Sequence, residues 1–186
     1  MTRIALALTA AWIGAAGVVD RVAVTVGSQV ITQSEVVREA RLTEMENAQP
    51  LDLGPAARKA AAERLVDQQL IRNEMEIGNY PKPSAAEGES MLQAWRKEHL
   101  PDPARYRAAL DQYGVTEEEL KQRLLWQLAA IRFTDQRFQA VPSSNDSQSA
   151  DRSSSDAETA VEQQMEAWLN QQRRSTRIQF KKEAFE

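Results

Sequence analysis

A strand-turn-strand pattern at the head of an otherwise helical chain is the strongest constraint on how this sequence folds. In RVAVTVGSQVITQSEV, Val22, Val24 and Val26 alternate with Ala23 and Thr25 as in a half-buried strand. Gly27-Ser28 fits a type II′ turn, and Val30-Ile31 opens the return strand. A two-stranded hairpin alone is marginal in water, so another segment must complete it. TRIQFKKE supplies one, because its alternation puts Ile178 and Phe180 on one face and Arg177, Gln179 and Lys181 on the other. The expected result is a small antiparallel sheet in which Ile178 and Phe180 are buried against Val22, Val24 or Val26.

The residues between these strands read as helices with clear start and stop signals. Thr32 with Glu35, Ser84 with Glu87 and Thr116 with Glu119 have the spacing of capping boxes, in which a hydroxyl takes one orphan amide and the acid reaches back to another. The first box opens a helix running to about Asn47. Pro55 suits a first helical turn, and the helix it opens carries Leu65, Val66, Leu70, Ile71 and Met75 on a broad apolar stripe. Gly78 is expected to close it in the left-handed conformation, with Pro81 and Pro83 beyond. The second box opens a helix with Met91, Leu92 and Trp95, ending near His99. Asp102-Pro103 starts a short helix stopped by Gly114. The third box opens a long helix with Leu120, Leu124, Leu128 and Ile131 at helical spacing, widened by Leu125 and Trp126.

Composition then shifts. VPSSNDSQSADRSSSD, residues 141–156, is Ser-rich and nearly free of apolar residues, which reads as a linker. Its Asn145-Asp146-Ser147 sequon is read as a chance match. After it comes an amphipathic helix with Val161, Met165, Trp168 and Leu169 on one side. At the other end, MTRIALALTAAWIGAAG has the short basic region, apolar run and small residues of a cleaved secretory signal. The division is therefore a signal over 1–17, a helical core over 18–140, a linker over 141–156 and a completing helix and strand over 157–186. The fold class is mainly α with a small antiparallel sheet.

The 186 residues contain no Cys, which rules out disulfides, thiol catalysis, thiolate metal sites and a lipidated Cys. Formal charge is −4, and −5 once Arg3 leaves with the signal, with both signs interspersed. That disfavours nucleic acid as a partner. An exported chain of this kind is expected in the periplasm, with no stable membrane insertion after cleavage.

In their order along the chain, these segments resemble a known family. VVDRVAVTVGSQVITQSEV is similar to the opening of SurA-type periplasmic chaperones, where a hairpin runs into a capped helix. RLVDQQLIRNEMEIGNYPKPS resembles that family's second helix and its exit, YGVTEEELKQRLLWQLAAIRF its next turn and long helix, and AWLNQQRRSTRIQFKK its C-terminal helix and strand. Family members carry parvulin-type prolyl isomerase domains where this chain has the Ser-rich linker. The resemblance thus implies the chaperone core alone, an ATP-independent holdase that binds unfolded outer-membrane protein precursors or other extended, aromatic-rich peptides without cofactor or metal.

Catalytic groups are sparse. There is no H-E-x-x-H, Walker A loop or G-x-G-x-x-G, and the single His99 stands where a helix C-terminus favours a cation. Glu117, Glu118 and Glu119 suit the first turn of a helix, whose dipole they complement. The chain is expected to bind rather than to catalyse. Met91, Trp95, Tyr106, Trp126, Met165 and Trp168 are the candidate client-binding residues, since Met adapts its shape and Trp offers a large contact area at low entropy cost. Each also fits an ordinary core position. An assembly or scaffolding protein with one dedicated partner, or an accessory to a separate isomerase, are the alternative readings. A linker able to reach home predicts a monomer, and one that cannot predicts a domain-swapped dimer.

Overall fold

The computed structural model describes residues 20–138 and 150–186, with side chains of the second stretch from residue 158 onward. The expected signal over 1–17 and residues 141–149 of the expected linker lie outside them. The order is β1 (Val22–Val26), β2 (Gln29–Thr32), α1 (Gln33–Glu46), α2 (Pro55–Ile77), α3 (Ala85–His99), α4 (Pro103–Tyr113), α5 (Glu117–Arg137), α6 (Ala150–Ser175) and β3 (Ile178–Phe180), then a single 3₁₀ turn, Lys182–Ala184. The helix α6 starts at Ala150, so residues 150–156 are helix although their composition reads as linker.

The hairpin is completed as its sequence requires. The sheet order is β2-β1-β3, antiparallel throughout, with Val24 opposite Phe180 and Val26 opposite Ile178. Gly27 takes φ +60° at the turn and Ser28 stays at negative φ, the type II′ pattern. The expected burial needs correcting, because the pairing of β1 with β2 slips between Val22 and Val24. That bulge breaks the alternation, so that Ala23 and Val24 are both fully buried while Val22 is 39% exposed. Across the seam Ile178 is half-buried, and Phe180, also 39% exposed, rests against Phe185 rather than inside the core. The 3₁₀ turn brings Ala184 into the core, where its carbonyl accepts from Gln33 Nε2 (3.3 Å) and Arg58 Nη1 (3.1 Å).

All three capping boxes form. Thr32, Ser84 and Thr116 each accept from the backbone N–H three residues on, and Glu35, Glu87 and Glu119 each accept from the cap residue's N–H. Asp102 caps α4, and Gly114 closes it at φ +60°. The exit of α2 differs from expectation. Gly78 has φ −83° and Asn79 takes the left-handed conformation at φ +50°. A glycine is needed at 78 for space, since a Cβ there would meet the Tyr80 ring at 2.4 Å.

Three apolar clusters hold the body together. The first packs β1, β2, α1 and the stretch of α2 from Ala61 to Leu70 through Val24, Val26, Ile31, Val36, Val66 and Leu70. The second joins α1, α3, α4 and the start of α5 through Leu42, Leu92, Tyr106, Leu120 and Leu124. The third joins the ends of α2 and α5 to α6 through Ile71, Met75, Ala129, Phe133 and Trp168. The long helix α5 serves two of them with different faces. At about 100° per residue, Leu120 and Leu124 lie on the side nearly opposite Ala129 and Phe133. Ile131 continues the first face beyond the second cluster and is 56% exposed, which corrects the single stripe read from spacing alone.

Candidate functional site

The open side of the body is the seam between α1, α2 and α5. Its floor is a buried ionic knot. Glu39, on α1, interrupts the Val36–Ala40 apolar face and is only 5% exposed. Both of its carboxylate oxygens accept from Arg123 Nη1 of α5, at 2.8 and 2.6 Å, and it accepts further from Arg64 Nε (3.1 Å) and Gln68 Nε2 (3.3 Å) of α2. Arg123 also donates through Nε to Glu46 (3.1 Å), whose other oxygen accepts from Gln127 (2.8 Å). A buried charge is tolerated only when paired and fully hydrogen-bonded, and Glu39 accepts four hydrogen bonds from three side chains on two helices, α2 and α5. Burial alone would draw the Arg123 guanidinium down, but Glu39 and Glu46 outweigh it and raise the group above its ordinary value. The knot thus fixes α5 at a set distance from α1 and α2.

Above the knot the helices leave two hollows. One, of about 220 Å³, is lined among others by Leu42, Leu65, Gln68, Arg123, Glu118 and Glu119. The other, of about 340 Å³, lies over Met75, Pro83, Leu125 and Ala129, with Glu76 and Lys82 at its rim. Both are lined by Arg72, Gln122 and Trp126, so the two hollows adjoin there as a trough. The Arg72 guanidinium lies 4.4 Å from the centroid of the Trp126 ring, a cation–π contact. Crowding around its head draws that guanidinium below its ordinary value, with Arg123 adding to the effect and Glu35 and Glu39 opposing it.

The structure distributes the six sequence candidates over two places. Met91, Trp95 and Tyr106 belong to the second cluster, and Trp126, Met165 and Trp168 to the third. Tyr106 is buried beneath the Arg96 guanidinium, 4.3 Å from its ring, and desolvation with the Glu117 carboxylate nearby pushes its phenol up. Trp168 is buried against Phe133, at 5.4 Å between ring centroids. Trp95 is half-buried, stacks on His99 at 4.8 Å and lines a separate hollow of about 280 Å³ with Met45, Leu100 and Tyr113. Met91 and Met165 are half-buried beside their clusters. Of the six, Trp126 lines the trough.

Arg72, Met75, Leu125 and Glu39 went unmarked in the sequence as site residues. Glu39 carried a signal, since a carboxylate at a core-facing helical position needs buried partners. The three glutamates at 117–119 are engaged locally, Glu119 in its cap and with Arg38, Glu118 with Lys121 and Gln122, and Glu117 with Arg96. Among the described residues no cluster of His, Cys, Asp or Glu could hold a metal ion, and no helix is long and apolar enough to cross a membrane. No known family model matches the chain, and no curated protein matches it.

Proposed function

We propose that this protein is an ATP-independent periplasmic chaperone, a holdase that keeps unfolded outer-membrane protein segments from aggregating. It would be a SurA-type core working without isomerase domains. The observation that carries the reading is the trough of two adjoining hollows along α2 and α5, one beside the ionic knot and the other lined by Met75, Leu125 and Trp126. Adaptable and aromatic side chains on a fixed frame suit weak, sequence-tolerant binding of extended chains. Many shallow contacts give modest affinity and fast release, as a holdase requires.

Photo-crosslinking tests this. Probes placed singly along the helices and presented with a denatured β-barrel protein should react most strongly around Arg72, Gln122 and Trp126, and the chain should suppress aggregation of several unrelated barrels. Crosslinks spread evenly over the surface, with no suppression, would overturn the reading. A single stoichiometric complex with one folded protein would point to a scaffolding role instead.

A further inference from the structure

In the larger hollow two cations, Arg72 and Lys82, make no ion pair among the described residues. Most arginines around it are paired: Arg38 with Glu119, Arg64 and Arg123 with Glu39, and Arg137 with Glu74. Among the described residues no carboxylate comes within ion-pair distance of Arg72 or Lys82. Arg72 is positioned by Trp126 on one side and donates to Gln68 Oε1 at 3.4 Å on the other, a long contact that leaves most of its fork free. The larger hollow therefore presents two unpaired cations and one acid, Glu76, on a chain of formal charge −4. Beside these cations lies the apolar floor of Met75, Pro83, Leu125 and Ala129. Its volume, about 340 Å³, is near the lower end of the roughly 300–1,000 Å³ usual for ligand pockets, room for a large side chain rather than a folded element.

We propose that this end of the trough selects client segments in which an Asp or Glu stands two residues from a bulky apolar residue, Arg72 taking the carboxylate and the hollow over Leu125 the apolar side chain. The inference rests on the holdase reading and adds the client chemistry to it. In an extended chain, residues i and i+2 point to the same side, so one face of the client offers both groups at once. A guanidinium binds a carboxylate through two parallel N–H donors, which an amide of the same shape cannot replace with equal strength. Lys82 at the rim adds attraction of longer range that salt would weaken.

Labelled, unstructured peptides identical except at two positions test this by fluorescence anisotropy, carrying Glu-x-Phe, Gln-x-Phe, Glu-x-Ala or Lys-x-Phe. The wild-type protein should bind the Glu-x-Phe peptide about tenfold more tightly than the Gln-x-Phe peptide, the ratio expected of one charge-assisted pair. Arg72→Gln should remove that ratio while keeping the preference for Phe over Ala, and Arg72→Lys should restore part of it. Equal binding of the Glu and Gln peptides by the wild-type protein would overturn the proposal without any variant, and so would an Arg72→Gln protein that still discriminates. Suppression of β-barrel aggregation, measured on the same preparation, separates the two claims. Suppression without carboxylate preference sinks the selectivity alone, and absence of both peptide binding and suppression sinks the holdase reading with it.

Discussion

Two ion pairs of similar appearance differ in what their residues contribute. Arg123 lies 13% exposed and holds Glu39 and Glu46 together, so Arg123→Met strands a buried carboxylate. Breaking such a pair from one side costs about 3–5 kcal/mol, and the surviving bonds to Arg64 and Gln68 place this case near the lower figure. Urea titration of the variant measures it, and Arg38→Met, removing an exposed pair with Glu119, should cost no more than about 1 kcal/mol. Glu87 supplies a pH test. Its carboxyl is held down to about 2, first by the Arg132 guanidinium and then by the Ser84 N–H and hydroxyl. A carboxyl depressed in the folded state contributes stability that is complete above its unfolded value and fades as pH falls through the folded one, here between 4.5 and 2. Thermal melts of wild type and Glu87→Gln should therefore differ at pH 7 and converge near pH 2. The cap was legible from Ser84 and Glu87 three positions apart, because its partners are neighbours in sequence. The Glu39 knot was not, because its donors come from α2 and α5, up to 84 positions away.

Among whole elements, the sheet is read correctly in membership and less well in burial. Strand order and pairing follow from alternation and from the need of a lone hairpin for a third strand. The bulge at Ala23 and the exposure of Phe180 depend on how the sheet edge meets solvent, which alternation does not encode. Phe180→Ala should accordingly cost well under the about 3–5 kcal/mol of a fully buried Phe. Val24→Ala, on the central strand and fully buried, should cost about 2 kcal/mol from two lost methyl groups and the space they leave. If denaturant melts rank the two variants the other way round, Phe180 is deeper than its exposure indicates. Helix packing adds a second test. A Cβ on Gly88 of α3 would lie 2.7–3.0 Å from the Leu125 side chain of α5, too close for any Cβ. Gly88→Ala gains about 1 kcal/mol of helix propensity and loses about 1–3 kcal/mol to overpacking. The expected sum is a modest destabilisation, accompanied by displacement of Leu125 toward the trough and weaker binding of apolar peptides.

At the level of the whole molecule, the trough escaped sequence reading because it needs α5 to change faces halfway. Spacing from Leu120 to Ile131 describes one stripe, whereas Phe133 packs the opposite side against Trp168, and the walls of the trough appear where the two commitments cross. The same geometry revises the role of linker length. Phe138 lies beside Trp168, with ring centroids 6.2 Å apart, while Ala150 is 18 residues before Trp168, or about 27 Å along the helix axis. Eleven residues, 139–149, separate the two in sequence, a length whose full extension is about 40 Å. Removing six of them leaves a reach of about 20 Å, too short for the distance. The first turns of α6 should unwind to make up the difference, read as lost helicity by circular dichroism. Light scattering should still report the mass of the wild type, and a doubled mass would show that α6 has moved to a neighbour instead. The central strand has one further consequence, for the time before folding is complete. Gln33 at the head of α1 meets Ala184 across 151 positions, so the free flank of β1 waits for its last neighbour until nearly the whole body has been synthesised. At about 5–20 residues per second that wait lasts roughly 8–30 s. For that interval the nascent chain exposes an open strand edge of its own, the hazard it is proposed to guard against in others.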